Sequence, residues 1–166
     1  MRTLLACCFG LVAAAAGVGG ETGQDAADAV GAWLNCEECE DGELNAVLAL
    51  GDTALPSLRQ ALLQGPSAAE LEEARSHLMA SYDGILPYWP AESGSPPPTR
   101  DEYVRMYLSN LVARYQKRAM IALETLGGRQ AIQALEEALR EELRDDVRRE
   151  IVASLGRLHG TTNRRR

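Results

Sequence analysis

Two cysteines separated by two residues, in Cys36-Glu37-Glu38-Cys39, are the sharpest candidate for chemistry in this chain of 166 residues. Such a pair can close a disulfide, help to hold a metal or exchange thiols with a substrate. Exchange requires a thiolate stabilised by cations or by a helix N-terminus. Glu37, Glu38, Glu40, Asp41 and Glu43 act in the opposite sense. Zinc would need two further ligands, and the only histidines, His77 and His159, form no second spaced pair. The favoured reading is a structural disulfide, or buried thiols, stapling a turn between helices; a metal with distant ligands and thiol exchange stay open. The acids themselves read as a solvated helix start, because their spacing is not that of a calcium loop. His77 shares a helix face with Glu73 and Glu70, an arrangement that suits acid and base but is also common on solvated faces. No Gly-rich phosphate loop, Gly-x-Ser-x-Gly elbow or His-Glu-x-x-His occurs. No residue is therefore assigned a catalytic role, and no cofactor is implied. Tyr88 and Trp89, inside Leu86-Pro87-Tyr88-Trp89-Pro90, are of another kind. They read as anchors for a protein partner or, the preferred alternative, as a plug folded over the end of the core.

Helices must position all of these. Apolar residues make up 46% of the chain, aromatics only 5%, and the apolar share is mostly Ala and Leu, which favours an all-α fold over any β-rich class. The formal charge is −7 and Lys117 is the single lysine, which argues against nucleic acid, since phosphate neutralisation needs clustered cations. Residues 1–20 stand apart: Arg2 precedes an uncharged run ending in small residues, the pattern of a cleavable signal peptide, with cleavage expected after Ala16 or Gly20. A periplasmic or secreted location follows, with membrane association only if the segment is retained.

The remainder, 21–166, divides by its caps and stops. Helices are expected over 24–34, over 42–50 after Asp41, after Asp52 up to Gly65-Pro66, and over 68–82 after Ser67. The 42–50 and 52–64 helices are expected to form a hairpin. Residues 83–99 hold five of the seven prolines and read as a loop. Thr99 to Glu102 is a capping box that opens a helix ending at Gly127-Gly128, and two more helices are expected over 129–143 and 145–158.

These helices repeat. Arg118 to Gly127 aligns with Val147 to Gly156 at an offset of 29, both ending in Leu-Gly, and the 54–62 segment aligns with 131–139 at an offset of 77. Leu126 and Leu155 fall at equivalent positions and are expected to be buried. The pattern resembles the HEAT-repeat family, in particular its PBS-lyase HEAT-like type, more fully over 114–158 and in part over 44–62. That resemblance implies a short α-solenoid of antiparallel helical hairpins used for protein binding, and it implies no lyase chemistry. The function expected is a non-enzymatic, exported scaffold whose protein partner has a basic or mixed surface; the alternative is a metal-binding or thiol-redox module centred on Cys36 and Cys39, with His77.

Overall fold

The computed structural model describes residues 21–36, 41–89 and 96–163. Seven α-helices, and no strand among the described residues, make up the fold. They are α1 (Glu21–Asn35), α2 (Asp41–Ala49), α3 (Leu55–Gln64), α4 (Ala68–Ile85), α5 (Arg100–Leu126), α6 (Gly128–Ala138) and α7 (Asp145–Asn163). Short 3-10 turns at Gly51–Ala54 and Leu86–Tyr88 join α2 to α3 and continue α4.

Local signals set the ends of these helices. Thr99 Oγ1 accepts from the Glu102 N–H while the Glu102 carboxylate accepts from the Thr99 N–H at 2.8 Å, so two otherwise orphaned groups at the start of α5 are satisfied together. Ser67 and Glu70 make the same reciprocal pair at the start of α4. Gly127 ends α5 with φ +65°, a left-handed value, and its N–H donates to the Leu123 carbonyl at 2.9 Å.

The longest helix, α5, is the axis of the molecule: each of the other six packs against it. Around its C-terminal half lies the core, with Leu58 and Leu62 from α3, Leu123 from α5, Leu135 from α6 and Ile151 from α7 all fully buried. Ala119, Ala122, Ala131 and Ala138 are buried without residue, and these small side chains let the helix axes approach closely. The alanine-rich composition thus serves packing as well as helix propensity. The 77-residue offset has a spatial meaning, since α3 lies beside α6.

Several sequence expectations need correction. Residues 83–85 continue α4, and 86–88 form a 3-10 turn, so the irregular stretch begins at Trp89 and not at Asp83. No proline interrupts the helix before Pro87, and Gly84 is tolerated on an exposed turn with open space around it. α2 packs mainly on α1 and α5, so 42–64 is less a tight hairpin than two helices bent apart by the 3-10 turn. α6 stops at Ala138, and Leu143 is buried from the following turn. Leu126 and Leu155 are half-buried at the edge of the core, because both lie in the outer turn next to their glycines. The second glycine does not stop its helix: α7 runs through Gly156 to Asn163 while Leu158 packs on the core. Met79 is 44% exposed, and α4 as a whole contains no buried residue.

α4 and the N-terminal half of α5 therefore form an arm beside the repeat body. Its far end is pinned by the Arg100–Asp83 ion pair at 2.8 Å, by the Tyr82–Tyr103 ring contact at 5.5 Å, and by the Arg100 guanidinium 5.3 Å from the Tyr82 ring. No helix among the described residues is long and apolar enough to cross a membrane.

Candidate functional site

A concavity lies between α3 and α6, where the two offset-related segments run side by side. It is an open groove of about 630 Å³. Leu55, Pro56 and Ala134 supply its apolar part, and Asp52, Arg59, Gln133, Glu136, Glu137 and Arg140 its polar walls. Arg59 reaches across from α3 and donates through Nε to Glu137 Oε2 on α6 at 2.7 Å, with Nη2 on the other carboxylate oxygen. That fork holds the Glu137 carboxyl below, and the Arg59 guanidinium above, their ordinary ranges. Because Arg59 and Glu137 satisfy each other, the charges left for an incoming surface are those of Asp52, Glu136 and Arg140. Their mixture is weighted towards acid.

Polar side chains also fix how the arm meets the body. Glu70 Oε2 accepts from the Ser67 N–H at 2.7 Å, while Oε1 accepts from the Tyr115 hydroxyl at 2.9 Å and from Asn35 Nδ2 at 3.3 Å. Partial burial opposes the charge on Glu70, but the bonds from Ser67, Tyr115 and Asn35 outweigh it and hold the carboxyl below the usual range. Burial, followed by the hydrogen bond to Glu70 and then the Glu70 charge, pushes the Tyr115 phenol far above its normal value. One turn further along α5, Arg118 Nη1 donates to the Leu34 carbonyl at 2.8 Å and the Trp33 indole donates to the Arg118 carbonyl at 3.1 Å, so α1 ends against α5. On the opposite side Lys117 bridges Asp146 at 2.9 Å and Glu150 at 2.7 Å, tying α5 to α7.

The residues singled out in the sequence do not converge. Cys36 follows α1, with its sulfur 3.1 Å from the Trp33 carbonyl oxygen, and Cys39 lies outside the described residues, as do residues 1–20. His77 lines a groove on the arm that contains no cysteine. Glu70, one of its two acids on the same face, is turned instead to Ser67, Asn35 and Tyr115. Among the described residues no group of three or more His, Cys, Asp or Glu stands where it could hold a metal ion. Tyr88 is 84% exposed, so it seals nothing, while Trp89 is half-buried with its N–H on the Leu86 carbonyl. The preferred plug reading therefore fails for Tyr88. Sequence reasoning missed the Arg59–Glu137 fork and the role of Tyr115 in joining arm to body. Only the Ser67-x-x-Glu70 spacing was available as a signal for the second.

Helical pairs stacked around a shared core, with an open groove beside them, are the architecture of a short helical repeat fold. Residues 116–141 match the family model described as the PBS lyase HEAT-like repeat, so this stretch of the chain is similar to that repeat. The match spans the C-terminal half of α5 and all of α6. The repeat character of α3 rests on its packing beside α6. No curated protein and no solved structure matches the chain.

Proposed function

We propose that this chain is a non-enzymatic, exported scaffold that binds a protein partner in the groove between α3 and α6. The observation that carries the reading is the Arg59–Glu137 fork, which fixes the spacing of the two helices and presents a preformed open surface. A preformed groove avoids the ordering cost that a flexible surface would incur on binding. The acid-weighted walls and the net charge of −7 favour a partner with a basic or mixed surface, so added salt should weaken the complex. Export through residues 1–20, a periplasmic or secreted location and a Cys36–Cys39 disulfide belong to the same proposal, as does a contribution from Tyr88 and Trp89 at the groove's partner.

A photo-crosslinking side chain placed at Gln133 in the native host tests the binding reading, with the same side chain at exposed Arg149 as control. One protein should be captured from Gln133 and lost with Arg140→Glu and Glu136→Lys introduced together. Equal capture from both positions, or capture indifferent to those charges, would reject the groove. Export is checked separately by the mass of the mature protein, which should begin at Gly17 or Glu21.

A further inference from the structure

In a protein of charge −7, the groove on the arm between α4 and α5 is lined by no carboxylate at all. It encloses about 320 Å³ over a floor of Ala74, Leu78 and Leu111, with His77, Tyr107, Asn110 and Arg114 around it. Three other grooves carry acids among their walls: Asp52, Glu136 and Glu137 in the α3–α6 groove, Asp101 on the far side of the arm, and Glu70 at the junction with the body.

Arg114 is the unusual member. Its Nε is buried without a hydrogen-bond acceptor, and among the described residues no ion pair or hydrogen bond engages its terminal nitrogens. Arg118 lies one turn along on the same helix, and burial, then the Arg114 charge, lowers its affinity for a proton. Arg118 is compensated by the carbonyls of Trp33 and Leu34 at the end of α1. Nothing comparable compensates Arg114. Two like charges four residues apart on a helix repel, and an unpaired guanidinium at the lip of an apolar floor is a ready fork for a carboxylate. Asn110 is already committed on its oxygen, which accepts from Arg144 Nη1 at 2.7 Å, so its amide nitrogen is the end left to donate.

We infer that the arm groove binds an acidic peptide segment of a partner, with a carboxylate on Arg114 and an adjoining aliphatic side chain on Leu78 and Leu111. Charge complementarity names the occupant: a carboxylate supplies what the groove's walls lack, and the apolar floor selects an aliphatic neighbour over a free anion. The site is separate from the α3–α6 groove and takes the opposite sign of charge.

The test uses purified protein and two blocked hexapeptides that alternate Leu with Glu or Leu with Gln, titrated while the Arg Nε–H and His ring signals are followed by NMR. The Glu peptide should shift the Arg114 and His77 signals and bind at least tenfold more tightly than the Gln peptide. Arg114→Gln should remove that preference, while Arg149→Gln, at an exposed position on α7 outside both grooves, should leave it unchanged. Equal binding of the two peptides, absence of binding at millimolar concentration, or a preference that survives Arg114→Gln in a folded variant would overturn the inference. If Arg114→Gln does not fold, the comparison of the two peptides on the unaltered protein, with their signals mapped to Arg114 or elsewhere, decides it.

Discussion

Glu70 carries more structure than its place on a polar helix implies. It caps α4 through Ser67 and holds the arm to α5 through Tyr115 and to α1 through Asn35. Glu70→Gln keeps the shape but gives up charge-assisted acceptance, and a loss of about 1–2 kcal/mol is expected in urea unfolding at neutral pH. The sign of the pH dependence follows from the depressed carboxyl of the folded state. Its contribution is complete above the ordinary carboxylate range and disappears as pH falls through the lower folded value. Wild type and Glu70→Gln should therefore differ at pH 7 and converge as pH falls below the ordinary carboxylate range, and a constant difference between them would show that Glu70 acts by shape alone. Half of this role is visible in the amino-acid order, because Ser67-x-x-Glu70 is a capping box by spacing. The other half is invisible there, since Tyr115 and Asn35 reach Glu70 only after α1, α4 and α5 have packed. Cys36 directly follows α1, and Cys39 lies outside the described residues. Changing both to Ser should lower the thermal midpoint more than it lowers affinity for the partner.

At the scale of the helix, two segments of similar sequence meet different surroundings. Leu123 and Val152 are equivalent in the 29-residue repeat, yet Leu123 is fully buried and Val152 is 55% exposed. Leu123→Ala should cost about 2–5 kcal/mol and Val152→Ala less than about 0.5 kcal/mol, measured by chemical unfolding. Similar losses at both sites would mean that a further surface covers α7. Glycine stops show the same dependence on context. Gly127 is followed by a second left-handed glycine, Gly128, and the helix breaks, whereas Arg157 after Gly156 pairs with Glu124 at 2.7 Å and the helix continues. The caps and the apolar periodicity were therefore legible, while the ends of α4, α6 and α7 were decided by tertiary contacts. Gly65 is constrained twice, by φ +71° and by Val112, whose Cγ1 would lie 3.1 Å from an added Cβ. Gly65→Ala is expected to cost about 1–3 kcal/mol, and adding Val112→Ala should recover only the part due to the clash, leaving the cost of the backbone conformation.

Across the whole molecule, α7 carries charged residues where α5 carries apolar ones. Met120 and Ala119 are buried in α5, and their counterparts are exposed Arg149 and half-buried Arg148. Arg148 is used differently as well, donating to the carbonyls of Leu139 and Glu141 at 2.9 Å each and so satisfying the end of α6. A polar outer face keeps a helix of a repeat array soluble where no neighbour covers it. Replacing Arg149 by Met beside Val152 should make the protein associate as its concentration rises, read by sedimentation velocity; a variant that stays monomeric would show that the end is closed by shape and not by charge.

The sharing of α5 between arm and body has a dynamic consequence. The C-terminal half of that helix packs on several helices and holds most of its buried residues, while the N-terminal half is covered mainly by α4, which buries no residue fully. Amide protons in such a helix should exchange in two classes. Those near Ala119 to Leu123 should wait for global unfolding, and those near Met106 should escape in smaller openings of the arm. Because the peptide units are continuous, each opening frays α5 from Arg100 inward and halts where Tyr115 meets Glu70. That contact is thus the boundary between two cooperative units, and Glu70→Gln should speed exchange in the arm while leaving the slowest protons of the body nearly unchanged.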